Sequence, residues 1–191
     1  MKIYINFVFP VGMALSIKLY KKLIIIFLIH FCFSNPQRLD ILSYNIYGLN
    51  PIFIKDKSSD RIKKIFEVSK NYDIIFYQEN WFYQDLLFEN FDKYNIIIGS
   101  KTKFIQKNNP KRSSGLNVII KENINIYKYE EHSFSTCNGW LFNYNDCLAT
   151  KGFIYSEILI ENNIISLYNT HLDAGKSKGD INARAKQLEI L

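Results

Sequence analysis

The sequence predicts a layered α/β (α+β) fold in which strands outnumber helices, and three stretches carry that expectation. The run Asp73-Ile74-Ile75-Phe76-Tyr77 shows no alternation and stops abruptly at Gln78-Glu79, as a strand buried on both faces does. A strand over Leu39–Ile46 and an amphipathic helix opening at Ser58-Ser59-Asp60 precede it, so strand, crossover helix and second strand make a βαβ-like unit. Further on, Lys151–Ile160 and Ile164–His171 form a hairpin across Glu161-Asn162-Asn163.

At the amino end, Lys18, Lys21 and Lys22 precede an apolar run over 23–33, too short to span a bilayer and of the length of a signal-peptide core. Cys32 and Ser34 supply small residues for a cut after Ser34. Residues 1–34 are therefore expected to be a signal peptide, with Met13 as an alternative start, and the protein to be secreted or periplasmic. A retained membrane anchor is the competing reading, interrupted by the lysines and His30. Much of the formal charge of +6 sits here: without the lysines at 2, 18, 21 and 22, 20 of the 24 basic groups face 18 acidic ones. A near-neutral remainder lacks the basic signature of a nucleic-acid binder. The remaining segment, 35–191, is one domain and keeps Cys137 and Cys147, which form either a disulfide closing a short loop or two separate thiols.

Within that domain the first strand ends on Asn45, and Gly48 and Pro51 enforce a loop. The helix after Ser58 puts Ile62, Ile65 and Phe66 on one face and Lys63, Lys64 and Lys70 on the other. Tyr94–Ile98 is a short strand, and Lys101–Arg112 a basic connection, either a solvated loop or a rim facing phosphate or lipid headgroups. Leu116–Lys121 and Ile124–Tyr129, parted by Asn123, are expected to continue as an antiparallel meander, and Asp180–Leu191 to close the chain as a helix.

Glu79 requires a reason, because burying an ionised carboxylate is costly unless a cation or donor pairs with it, and ligands gather at the ends of central α/β strands. The plainer alternative is a solvated loop, or a cap for a helix starting at Trp81. Four polar clusters end apolar segments in this way: Asn45, Gln78-Glu79, the loop Asp146 to Gly152, and Asn169-Thr170-His171. Singly they are ordinary, since a strand-end histidine usually finds a carbonyl and Lys-Gly is a common turn. Together they supply an acid, an imidazole, an amide and a lysine, the set that metal-assisted phosphoryl chemistry uses.

The order of these residues resembles the endonuclease/exonuclease/phosphatase superfamily, through Ser43-Tyr44-Asn45, Asp73 to Glu79, Ser114-Gly115-Leu116 and Asn169-Thr170-His171-Leu172. The resemblance covers Leu39 to Leu191 and implies the first half of a four-layer α/β/β/α sandwich of deoxyribonuclease I type, incomplete at the carboxy end. It implies Mg²⁺, or another divalent cation, on Glu79 with Asn45 helping to position it, and His171 on the scissile phosphate. Asp146-Cys147-Leu148-Ala149-Thr150-Lys151-Gly152 further resembles the Asp-x-x-Ala-x-Lys-Gly segment of neutral sphingomyelinases, which adds Asp146 and Lys151 to the expected catalytic set with His171, and Lys151 to the substrate contacts of Asn45 and His171. The aromatic residues Trp140, Phe142 and Tyr144 suit either a membrane interface or filling beneath a closed loop.

Gly179-Asp180-Ile181-Asn182 matches the family's second metal motif literally, but follows Lys176-Ser177-Lys178 in a loop rather than an apolar strand. Asp180 is expected instead to be the N-cap of a helix carrying Arg184 and Gln187, which resembles the Arg-x-x-Gln helix before the true motif. No later Asp-His matches the family's general base, so this chain is expected to be an amino-terminal part unable to activate water by itself. The expected function of the complete protein is Mg²⁺-dependent hydrolysis of sphingomyelin, a phospholipid at a membrane surface, to ceramide and phosphocholine. An exported nuclease is the weaker enzymatic alternative, given the near-neutral charge. A non-catalytic secreted remnant that binds lipid or a surface is the alternative from another class.

Overall fold

The computed structural model describes residues 38–51, 58–99, 114–139 and 146–191; the segment 1–34, the basic connection Lys101–Arg112 and the aromatic residues Trp140, Phe142 and Tyr144 lie outside the described residues. The elements run β1 (Ile41–Gly48), α1 (Ser58–Ser69), β2 (Ile74–Asn80), α2 (Gln84–Asn90), β3 (Tyr94–Ile98), β4 (Asn117–Lys121), β5 (Asn125–Ser133), a 3-10 turn (Asp146–Leu148), β6 (Gly152–Ile160), β7 (Asn163–His171) and α3 (Lys178–Leu188). The expected βαβ unit is present, with β1 and β2 parallel and α1 crossing between them.

The first sheet has the order β1-β2-β4-β3, which places β2 inside, as its unbroken apolar run requires. Its two faces bury different partners. Ile75 and Tyr77 pack beneath α1 and α2 with Ile62, Phe66, Leu87 and Phe91, where Phe66 and Tyr77 stack at 5.4 Å between ring centroids. Ile74 packs on the other side with Val118 and Ile120 of β4 and Ile154, Ile158 and Leu167 of the second sheet. That second sheet, β5-β6-β7, is antiparallel, and its β6–β7 hairpin turns at Glu161 and Asn162. Residues Leu39–Leu191 thereby form one unit of two facing sheets, with α1 and α2 against the outer face of the first.

Three expectations are corrected. The meander does not continue through β5: β4 pairs with β2 and β3, whereas β5 pairs with β6, so the chain changes sheet between Lys121 and Asn125. Asn117 to Ile120 are all buried, which suits an inner strand, while β5 is exposed along most of its length and suits an edge. The helix offered as an alternative from Trp81 is present as α2 but starts at Gln84, and Glu79 stays in β2 rather than capping it; Leu87 within it and Tyr83 and Phe91 flanking it fill the core. The N-cap of α3 is Ser177, not Asp180. Asp180 is the third residue of that helix, and it accepts from the Ser177 backbone at 2.8 Å while its own N–H donates to Ser177 Oγ at 3.2 Å, a reciprocal capping box.

Because Ile154 is fully buried between the sheets, Ile154→Ala is expected to lower unfolding free energy by about 2–5 kcal/mol, measured by urea denaturation.

Candidate active site

Glu79 and Asn45 meet because β1 and β2 are parallel but not in regular register. Asn45 lies opposite Gln78, and Gly48 opposite Asn80, so two residues of β1 face the one position of Glu79. Along β2, Ile75 and Tyr77 face the helices, and strict alternation would send Glu79 the same way. Its backbone instead adopts φ +60°, an uncommon left-handed conformation for a non-glycine residue. This turns the carboxylate to the side of the second sheet, where Asn45 Nδ2 donates to Glu79 Oε1 at 2.9 Å. Gly48 permits the close approach of the strands, since a Cβ there would lie 2.8 Å from Glu79 O. Strain of this kind costs on the order of 1–3 kcal/mol and gathers at functional sites.

Asn169 fastens the second sheet to this strand end. It is buried in β7; its Nδ2 donates to Tyr77 O at 3.0 Å and Asn117 O at 2.9 Å, and its Oδ1 accepts from Gln78 Nε2 at 2.7 Å. Two residues further along the same face of β7, His171 Nε2 stands 3.6 Å from Glu79 Oε1. The imidazole tilts against Trp81, with centroids 6.4 Å apart, and Trp81 rests on Gly115, where φ +72° and the absence of a Cβ make room for the indole. Trp81 Nε1 and His171 Nδ1 are buried without protein partners among the described residues. Burial, then the charge of Lys151, holds the His171 pKa below its ordinary value, against an opposing pull from Glu79.

Asp146 and Lys151 lie behind His171 as a buried ion pair, 2.6 Å apart and each 4% exposed at the side chain. Both are well satisfied: Asp146 Oδ2 accepts from Ala174 N at 2.7 Å, and Lys151 Nζ donates to Leu172 O at 2.7 Å. An ammonium has three donors, so the third remains for another acceptor. Cys137 and Cys147 are joined as a disulfide, which resolves the alternative left open by the sequence and ties the 3-10 turn carrying Asp146 to the segment that follows β5. From there the hydrogen bonds continue into α3. Asn138 N donates to Asp173 Oδ2 and Asn138 Nδ2 to Asp180 Oδ1, both at 2.6 Å; the Asn138 amide, with the Ser177 hydrogen bonds and against burial, keeps the Asp180 carboxyl below its usual range. Gln187 Nε2 donates to Asp173 Oδ1 at 2.7 Å, while Arg184 Nη1 donates to the carbonyls of Asp173, Ala174 and Gly175. Asp180 is thus committed to a helix terminus.

The fold therefore brings Asn45, Glu79 and His171 into one contiguous group and sets Asp146 and Lys151 beside it. Asn169, Gln78, Trp81 and Asp173 were given no role from sequence. The period of two in Asn169-Thr170-His171 was the available signal for the first, since it puts both polar ends on one face. Among the described residues no group of three or more His, Cys, Asp or Glu is arranged to hold a metal. The site nevertheless fits a hard cation with few protein ligands, since Mg²⁺ is commonly held by one or two carboxylates, waters and substrate phosphate. Glu79 would hold it, and Asn45, whose Oδ1 accepts from Tyr47 N at 3.0 Å and whose Nδ2 engages Glu79, fixes the carboxylate.

In metal-free protein His171 is expected to titrate below 6.5 by NMR, and lower still in Glu79→Gln, which removes a charge that favours imidazolium. Because the folded state resists this proton, the stability owed to neutral His171 is present above 6.5 and declines as pH falls from 6.5 toward the folded-state value.

No family model matches the chain, and no curated protein matches its sequence. Solved structures do match its coordinates. A beta toxin variant from Staphylococcus aureus with bound magnesium ions aligns with TM-score 0.63 and 20% identity over 81% of this chain and 57% of that one. Sphingomyelinase C from Streptomyces griseocarneus gives 0.64 and 18% identity over 80% and 56%, and D. rerio TDP2 with a single-strand DNA product gives 0.55 and 17% over 80% and 52%. The chain spans a little over half the length of these structures. A mixed sheet facing an antiparallel one, a strand-end Glu–Asn pair and these alignments converge on one architecture: the chain carries the endonuclease/exonuclease/phosphatase fold and spans part of it.

Proposed function

We propose that this chain is the Glu79- and His171-bearing part of a Mg²⁺-dependent phosphodiesterase, a hydrolase that in its complete form cleaves sphingomyelin to ceramide and phosphocholine. The observation that carries the proposal is the turned backbone of Glu79, which places a carboxylate 3.6 Å from His171 at the mouth between two sheets. A phosphate approaching neutral His171 would meet that carboxylate, and two anions at close range on half-buried groups repel. A divalent cation on Glu79 removes the conflict and, when bound, supplies polarisation of the phosphate oxygens. His171, with its proton on Nε2, offers a hydrogen bond to a phosphate oxygen, and its depressed pKa keeps the ring neutral near pH 7. Lys151 adds positive potential behind the ring, while Asp146 fixes its position.

The lipid substrate is supported by the higher TM-scores of the beta toxin and sphingomyelinase C structures relative to TDP2, together with the Asp146 to Gly152 segment. The TDP2 structure with a DNA product supports a nuclease as the second reading. Secretion is part of the proposal: the apolar run 23–33 and the Cys137–Cys147 disulfide both suit an exported protein.

The 191-residue chain is expected to bind Mg²⁺ in a calorimetric titration, and Glu79→Gln to weaken that binding by more than about tenfold. Incubated with sphingomyelin vesicles and Mg²⁺, the full gene product is expected to release phosphocholine and leave plasmid DNA intact. DNA cleavage without lipid turnover would select the nuclease, and neither activity would leave a binding protein.

A further inference from the structure

The bulge of β1 is the least regular part of the site, and something outside the ladder holds it. Ile46 and Tyr47 have no register partners in β2, and Tyr47 has a left-handed backbone at φ +50°. Carbonyl groups displaced from a ladder need other donors. Arg61, the fourth residue of α1, supplies them: Nη1 donates to Ile46 O at 2.5 Å and Nη2 to Tyr47 O at 3.1 Å. From that point the contacts run directly to the site, because Tyr47 N donates to Asn45 Oδ1 at 3.0 Å and Asn45 Nδ2 to Glu79 Oε1 at 2.9 Å.

We propose that Arg61 is a positioning residue for Glu79, its guanidinium fork fixing the β1 bulge and thereby Asn45 and the carboxylate that takes a divalent cation. The inference rests on the metal reading of Glu79 given above. A planar fork spans two adjacent carbonyls with two fixed donors, whereas a lysine brings one mobile point charge to the same place. The opposing account is that Arg61 merely fastens α1 to the sheet, in which case any loosening of that helix would have the same effect. Ile62, the next residue, is fully buried beneath α1 and does not donate to the bulge, so Ile62→Val separates the two accounts.

Arg61→Lys, Arg61→Ala and Ile62→Val are compared in the full 191-residue chain, first without metal by amide hydrogen exchange. The amides of Tyr47, held by Asn45, and Phe82, which donates to Gly48 O at 3.0 Å, report the bulge, while Val118 and Ile120 in β4 report the sheet. Arg61→Lys is expected to speed exchange at Tyr47 and Phe82 with β4 unchanged, and to weaken binding of Mg²⁺ alone by about tenfold or more, the usual cost of removing a group that orients a ligand. Ile62→Val is expected to do neither. Should Arg61→Ala not fold, Arg61→Lys carries the test. Wild-type protection at Tyr47 and Phe82 in Arg61→Lys, or the same pattern in Ile62→Val, would overturn the proposal. So would a loosened bulge that binds Mg²⁺ as tightly as the wild type. If the bulge loosens in Arg61→Lys but the wild type takes up no Mg²⁺, Arg61 still positions the bulge and it is the metal reading of Glu79 that fails.

Discussion

Asn169 holds the two sheets in the one relation that makes a site. Its amide donates to backbone carbonyls of both β2 and β4 and accepts from Gln78, so a single side chain from the second sheet satisfies three polar groups of the first in a buried place. Leaving such groups unpaired would cost about 1–3 kcal/mol each, which makes the relative position of the sheets sharply defined at this end. Elsewhere between them the packing is aliphatic, Ile74, Val118 and Ile120 against Ile154, Ile158 and Leu167, and apolar contact is not directional. Direction comes from the amide, and Glu79 and His171 lie immediately beyond it on their respective strands.

Around that fixed point the protein uses two separate supports. The bulge of β1 holds Asn45, and with it Glu79, on the first sheet. On the second, the disulfide, the Asp146–Lys151 pair and the contacts of Asp173 with Asn138 and Gln187 hold the segment that follows His171. Asp146, Lys151, Asp173 and Gln187 are buried, whereas Asn45 and Cys137 are exposed. A buried ion pair contributes little net stability once desolvation is subtracted, but losing one partner is severe, so Asp146 and Lys151 define geometry more than they add to folding energy. The same pair fixes a lysine close behind His171, where its charge lowers the imidazole pKa.

The chemistry follows from unequal exposure. Glu79 and His171 keep 16% and 20% of their side-chain surfaces open, against 4% for Asp146 and Lys151. Glu79 and His171 are thus the more open of the two pairs. A carboxylate beside a neutral imidazole makes a poor anion site by itself, and a divalent cation held by Glu79 would offset that charge.

The sequence by itself determined the strands and their polar ends. The unbroken run at Ile74–Tyr77 identified an inner strand, the runs Lys151–Ile160 and Ile164–His171 across Glu161-Asn162-Asn163 identified a hairpin, and Asn45, Glu79 and His171 were legible because polar residues interrupt apolar patterns at strand ends. Period and polarity are local properties, visible in a window of a few residues. What only tertiary structure decided is how those ends face. Alternation alone sends Glu79 toward the helices, and it reaches His171 through a left-handed backbone that no residue type announces. The parting of β4 from β5, the Cys137–Cys147 pairing, the partners of Arg61 and Asn169, and the capping box that places Asp180 third in its helix all depend on groups brought from distant segments or on backbone geometry. Those contacts are settled by burial and by the need to satisfy every displaced polar group, conditions that exist only once the chain has closed upon itself.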